Sequence, residues 1–264
     1  MYSIRLFYLL SCCLIPFSLF AQTPAQTAKN IDIDLYRYLQ KIDSWRWRQD
    51  TISNVDSLQK ANDAFEQRLR YYASEYPVTI EAKYPSLTGD NVAVVSSADG
   101  LFRIYSWDTS LGGSKVAFEN VFQYKVNDKT LSNFKPADST EEGRPTYSYS
   151  SIYTLKANDK TYYLAVYNGV FSSKDAGQGI EVFTIENGKL KDGIKLIKTH
   201  SGLHNRLSYD YDFRSVVNLK VQPSIHFDNA SNTIFVPLVD GNGKVTDKYI
   251  TYKFTGEVFE KVKN

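Results

Sequence analysis

Two histidines four residues apart, His200 and His204, followed closely by Asp210 and Asp212, are by type the side chains of this chain best suited to hold a metal ion. Two imidazole nitrogens and two carboxylate oxygens would fill a four-coordinate site. On a helix that spacing would set both imidazoles on one face. The intervening Ser201-Gly202-Leu203 is poor helix sequence, however, and no Glu follows the first His as it does in metalloprotease helices. The plainer reading is a polar loop between strands, and no metal or other cofactor is expected.

The two aspartates can also be read without the histidines. Strand alternation along Tyr209 to Arg214 turns Tyr209, Tyr211 and Phe213 to one face and Asp210, Asp212 and Arg214 to the other. Carboxylates two residues apart on a strand are separated by roughly 6.5 to 7 Å at Cα, a distance compatible with the catalytic pair of a glycosidase. Arg214 beside them supports a second interpretation, an exposed row of ion pairs on a solvated sheet face.

The densest local signature runs from Asp99 to Gly113. As a strand it points Phe102, Ile104 and Ser106 one way and Arg103, Tyr105 and Trp107 the other. Facing solvent, the second row would make a platform for stacking a sugar ring or an aromatic ligand. If the N-terminal helices cover the sheet, the same residues are core and Trp107 simply fills space. The chain's 20 tyrosines favour a contact surface somewhere, because tyrosine supplies amphipathic area at small entropic cost.

These residues must be positioned by two kinds of element, with the change near Pro77. Val55, Leu58, Ala61, Phe65, Leu69 and Tyr72 recur at helical spacing, with Ser53 or Asn54 as N-cap and a stop before Pro77. Ile31 to Arg48 carries a second apolar stripe, so the two form an α-hairpin. From Val78 onward the chain breaks into short runs rich in Val, Ile, Tyr, Phe and Thr, separated by turns such as Asp99-Gly100, Asn158-Asp159 and Asn187-Gly188. Ser215 to Val221 is one such run. The stretch Lys135 to Pro145 reads as an exposed loop.

The expected fold is α+β and mostly β, an N-terminal α-hairpin over residues 22–76 followed by an antiparallel β-meander over 77–264. It would close as a twisted sheet or sandwich; a small β-propeller is disfavoured because Trp107-Asp108 recurs nowhere as a repeat marker.

At 264 residues with 42% hydrophobic and 23% charged side chains, the chain has the composition of a folded globular protein. A formal net charge of +2, with no basic cluster, argues against nucleic acid as a partner. Residues 1–21 carry Arg5, an apolar run from Leu6 to Phe20 and Ala21, the pattern of an export signal cleaved after Ala21, which leaves no transmembrane segment. Leu9-Leu10-Ser11-Cys12 also admits an outer-membrane lipoprotein anchored through Cys12. Both cysteines, Cys12 and Cys13, lie inside the leader, so thiol chemistry and disulfides are excluded from the mature chain. There is no phosphate-cradling glycine loop, nucleophile elbow or zinc-protease motif. Asp240 to Asp247 superficially resembles a calcium loop, but it lacks the alternating oxygen ligands and terminal Glu, and a hairpin turn explains it better.

The leader, the Phe-Arg-Ile-Tyr-Ser-Trp-Asp-Thr strand at 102–109 with its following Gly-Gly, and the Ile-Phe-Val-Pro and Tyr-Ile-Thr-Tyr-Lys-Phe segments near the C-terminus resemble secreted proteins of Gram-negative bacteria. That resemblance spans most of the mature chain and implies export and a β-rich fold; it brings no activity and no site residue. The leading functional expectation is therefore a periplasmic or secreted, non-catalytic binding protein that holds a glycan, peptide or envelope protein on an aromatic sheet face, with Arg103, Tyr105 and Trp107 as candidate contacts. The alternative is a secreted hydrolase, carbohydrate-active, built on Asp210 and Asp212 or on a His200 and His204 site.

Overall fold

A computed structural model of the chain describes residues 23–48, 50–89, 91–113, 115–135, 146–220 and 222–262. The leader with Cys12, and the expected loop beyond Lys135, lie outside the described residues.

The helical periodicity of the N-terminal region produces α1 (Pro24–Arg46) and α2 (Ile52–Glu75). Both begin earlier than the apolar stripes suggest, α1 by seven residues and α2 by three, because threonines cap them. Thr23 accepts from the Gln26 amide, and Thr51, rather than Ser53 or Asn54, accepts from the Asn54 amide. Ile31, Leu35, Leu39 and Ile42 of α1 pack against Leu58, Phe65 and Leu69 of α2. The hairpin is pinned by Asp34, whose Oδ2 accepts from Arg68 Nε at 2.7 Å and from Tyr72 Oη at 2.8 Å.

Burial pushes the Asp34 carboxyl up, but the Arg68 and Tyr72 hydrogen bonds and the nearby positive charge outweigh it and hold the group below its ordinary 3.8. Burial, with the same bond, pushes the Tyr72 phenol up to about 12. A depressed folded pKa gives stability that is complete above the unfolded value and lost as pH falls through the folded one. Asp34→Asn is therefore expected to cost about 1 kcal/mol near neutral pH, a difference that urea denaturation should show shrinking as pH falls below the ordinary carboxyl pKa of about 3.9.

After a single 3-10 turn (Pro77–Ile80) and α3 (Pro85–Thr88), the chain lays down three sheets. The first is a meander of β1 (Val92–Ser96), β2 (Phe102–Asp108), β3 (Phe118–Val126) and β4 (Lys129–Lys135). The second contains β5 (Ser148–Ala157), β6 (Lys160–Val170), β7 (Asp175–Glu186) and β8 (Lys189–Lys191), with β11 (Arg206–Asp212) added along the first half of β7. The third, in spatial order, is β10 (Gly202–His204), β9 (Ile197–Thr199), β15 (Phe259–Lys261), β14 (Val245–Phe254), β13 (Thr233–Val239) and β12 (His226–Asp228).

The sheets stack like pages with the helices as a cover. Tyr105, Trp107 and Val121 share one core with the helices, and Phe102, Ile104 and Phe122 meet Tyr149, Tyr163 and Phe183 of the second sheet. On the other side of that sheet, Leu164, Ile180 and Val182 meet Phe227, Ile234 and Phe259 of the third. The antiparallel α+β reading holds, with two differences. β15 pairs β9 in parallel, which becomes possible because β10 to β14 intervene and the C-terminus returns to fill the gap between β9 and β14. The strand expected from Ser215 does not form over residues 215–220, and Val221 lies outside the described residues. Asp212 ends β11 by accepting the Arg214 amide, and the chain turns there through a 3-10 turn (Phe213–Ser215).

Candidate functional site

The row Arg103, Tyr105 and Trp107 does not face solvent. Its residues are 7%, 0% and 0% exposed, and each is tied to the helical cover. Arg103 Nη1 donates to the backbone oxygens of Thr79 and Ala82 at 2.7 and 2.8 Å, and its Nε donates to Ser96 Oγ. Tyr105 Oη donates to Gln123 Oε1 at 2.9 Å, and Gln123 Nε2 in turn donates to Ala73 O and Thr79 Oγ1. Trp107 Nε1 donates to Asn62 Oδ1 on α2 at 3.1 Å. Buried polar groups must be paired, and these three residues supply the pairs that seat the helices on the first sheet. The expected ligand platform is thus a docking surface for the protein's own N-terminal region.

The histidines and aspartates separate for a simpler reason: they belong to different sheets. His200 is exposed in the turn between β9 and β10, and His204, on β10 of the third sheet, has its Nε2 3.0 Å from Ser201 Oγ. The chain then crosses to the second sheet, where Arg206 and Asp210 alone are about 13 Å apart at strand rise. Among the described residues no group of three or more His, Cys, Asp or Glu side chains is placed to hold a metal ion.

Asp210 and Asp212 do share a strand face, opposite Gly177 and Asp175 in register. Asp212 is committed to capping, and Arg214 leaves the strand, so the expected ion-pair row does not form. The buried carboxylate of the second sheet is another residue, Glu181, whose Oε2 accepts from Tyr149 Oη at 3.1 Å between the first two sheets. Asp240 behaves as the hairpin reading requires, its Oδ1 accepting the Asn242 and Lys244 amides at 2.9 and 3.0 Å. Those two bonds hold its carboxyl below the usual range.

An aromatic row does reach solvent, on the far page of the stack. The third sheet buries one face against the second, and among the described residues no helix or further sheet covers the other. Register places Phe235 opposite His226 and Thr251, and Tyr249 opposite Pro237, so that their side chains stand on the uncovered face. The His226 ring lies parallel to that of Phe235 at 4.8 Å, and Tyr249 meets both edge-on at 5.4 and 6.1 Å. All three are half-buried. His226 belongs to the edge strand β12, so among the described residues no further strand lies beyond its ring, and its Nδ1 is 3.0 Å from Ser224 O. A shallow groove of about 670 Å³ runs alongside, lined by Leu238, Tyr249, Ile250, Thr251 and Val262 with Lys248 and Lys261 at its margins.

Compared with protein-family models, curated proteins and solved structures, the chain matches none. The site therefore rests on its own geometry. Aromatic faces bordered by a hydroxyl and by ammonium groups suit a ligand with both apolar and hydroxylated surface. The cluster contains no paired acid and base and no nucleophile with an adjacent base, the minimum for hydrolysis. Sequence reasoning missed it because its members lie 9 and 14 residues apart and belong to three different strands. The usable signal was the alternation on either side of the Asp240 turn, which sets Phe235 and Tyr249 on the same face once the hairpin register is known.

Proposed function

We propose that this protein is an exported, non-catalytic binding protein that recognises a glycan of the cell envelope with the uncovered face of its third sheet. The observation that carries the reading is the half-exposed His226, Phe235 and Tyr249 cluster beside the groove. Rings standing on a sheet present flat apolar faces, and the apolar face of a pyranose ring stacks on them while Thr251, Lys248 and His226 offer hydrogen bonds to its hydroxyls. Export is supported by the leader, and no described helix is long and apolar enough to cross a membrane.

A thermal-shift screen of the purified protein against oligosaccharides, peptidoglycan fragments and short peptides tests this. A saccharide present at about 100 times its Kd adds about 2.7 kcal/mol, which raises the Tm by about 5 to 10 °C for a protein of this size. Phe235→Ala and Tyr249→Ala, both on a solvated face, are expected to abolish the shift while lowering the unliganded Tm only slightly. A shift that survives both substitutions, or one produced by peptides alone, would show the reading to be wrong.

A further inference from the structure

We propose that the cleft at the hairpin ends of the first and second sheets is a separate binding site, for a small zwitterion carrying one carboxylate and one ammonium group. Tight turns from both sheets meet there, those following β1, β5 and β7 among them. They enclose a cleft of about 540 Å³ lined by Leu101, Lys125, Asp159, Lys160, Tyr163 and Glu186 with their neighbours. That volume falls within the range of small-ligand sites. Its floor is fixed, because Tyr163 is buried and donates through Oη to Asp99 Oδ2 at 3.0 Å, while Asp99 Oδ1 accepts from Ser97 and Leu101.

The charges around the cleft divide into two kinds. Glu186 is engaged from two sides, by Lys160 at 2.9 Å and Lys191 at 3.2 Å. Lys125 of β3 and Asp159 of the turn after β5 make no side-chain hydrogen bond or ion pair among the described residues. The first sheet thus offers a half-buried lysine, and the second offers an exposed carboxylate lining the same opening. A simple anion at Lys125 would be repelled by Asp159 and Glu186, and a simple cation at Asp159 would be repelled by Lys125 and Lys160. A ligand bearing both charges satisfies each wall with its opposite end. Leu101, Ile185 and the Tyr163 ring supply apolar contact between the two ends.

Such a ligand is either a free amino acid or the two termini of a short peptide, and titration calorimetry with purified protein separates these sources. Glycine, triglycine and N-acetyl-triglycine amide are the probes. Saturable binding of glycine identifies the first source and saturable binding of triglycine the second, and either supports the site. The doubly capped peptide is expected not to bind. Lys125→Met keeps the stem, and Asp159→Asn keeps a side chain suited to its φ of 60°, so both variants retain the fold. Each is expected to weaken binding by about tenfold or more, while Lys248→Met on the third sheet leaves it unchanged. The proposal is overturned if neither uncapped probe binds at millimolar concentration, if the capped peptide binds equally well, or if both cleft variants bind like the unsubstituted protein.

Discussion

Trp107→Ala is expected to cost about 3 to 5 kcal/mol of folding stability and to leave ligand recognition intact in whatever fraction remains folded. The indole is fully buried, packed edge-on against Phe65 of α2 at 5.1 Å and parallel to Phe134 of β4 at 6.4 Å. Its removal opens a cavity beneath the helical cover and strips Asn62 Oδ1 of its donor, while Asn62 Nδ2 keeps its bonds to Leu58 O and Thr109 O. The loss would be about a fifth or more of the stability of an ordinary domain. Trp107→Phe retains most of the packing and sacrifices the hydrogen bond, so about 1 to 2 kcal/mol is expected. Urea denaturation of the two variants beside the unsubstituted protein gives both values.

The second large effect belongs to a single hydrogen atom. Gly179 of β7 lies directly across from Tyr167 of β6, and the phenol ring folds down onto it. A methyl group at Gly179 would overlap Tyr167 Cζ and Oη and would stand 2.7 Å from the backbone oxygen of Leu207 on the neighbouring strand. The ring cannot move far, because Tyr147 lies against it with centroids 4.4 Å apart and Tyr149 at 6.1 Å. Burial already pushes the Tyr167 phenol up to about 12, so ionisation provides no escape at ordinary pH. Gly179→Ala is expected to destabilise by about 3 kcal/mol, at the upper end of overpacking costs. Tyr167→Leu removes the overlap with the ring, so the double variant should be more stable than the sum of the two single losses predicts, by about 1 to 2 kcal/mol. Strict additivity would mean that the Leu207 backbone, and not the tyrosine, is what the methyl group meets.

Both effects show which features were legible in the sequence. The alternation of Phe102 to Trp107 correctly separated its two faces, since a strand's side chains must alternate. That the Arg103, Tyr105 and Trp107 face is covered as well depended on Asn62 and Thr79, residues 45 and 24 positions from their partners Trp107 and Arg103. No local pattern encodes a contact of that range. The helices were readable from their own periodicity, and only their starts were misplaced, because Thr51 competes with Ser53 and Asn54 as a cap and only hydrogen-bond geometry decides among them.

β4 was hidden by its composition. Lys129, Ser132, Asn133 and Lys135 make it look like a loop, yet its Thr130 and Ser132 hydroxyls bond to Ser74 of α2, a use for polar strand residues that only the packed helix reveals. The same logic displaced the candidate site. A hydrophobic or aromatic row is exposed only if nothing covers it, and in a stack of sheets the uncovered rows lie on the outermost page. For this chain that page is the third sheet.

Titration calorimetry with one envelope oligosaccharide from the screen, against Trp107→Phe and Phe235→Ala in parallel, tests the central claim most directly. The account predicts that Trp107→Phe binds with the affinity of the unsubstituted protein despite its lower stability, and that Phe235→Ala loses binding while remaining folded. Loss of binding in Trp107→Phe with full affinity in Phe235→Ala would contradict it, placing recognition on the first sheet instead of the third.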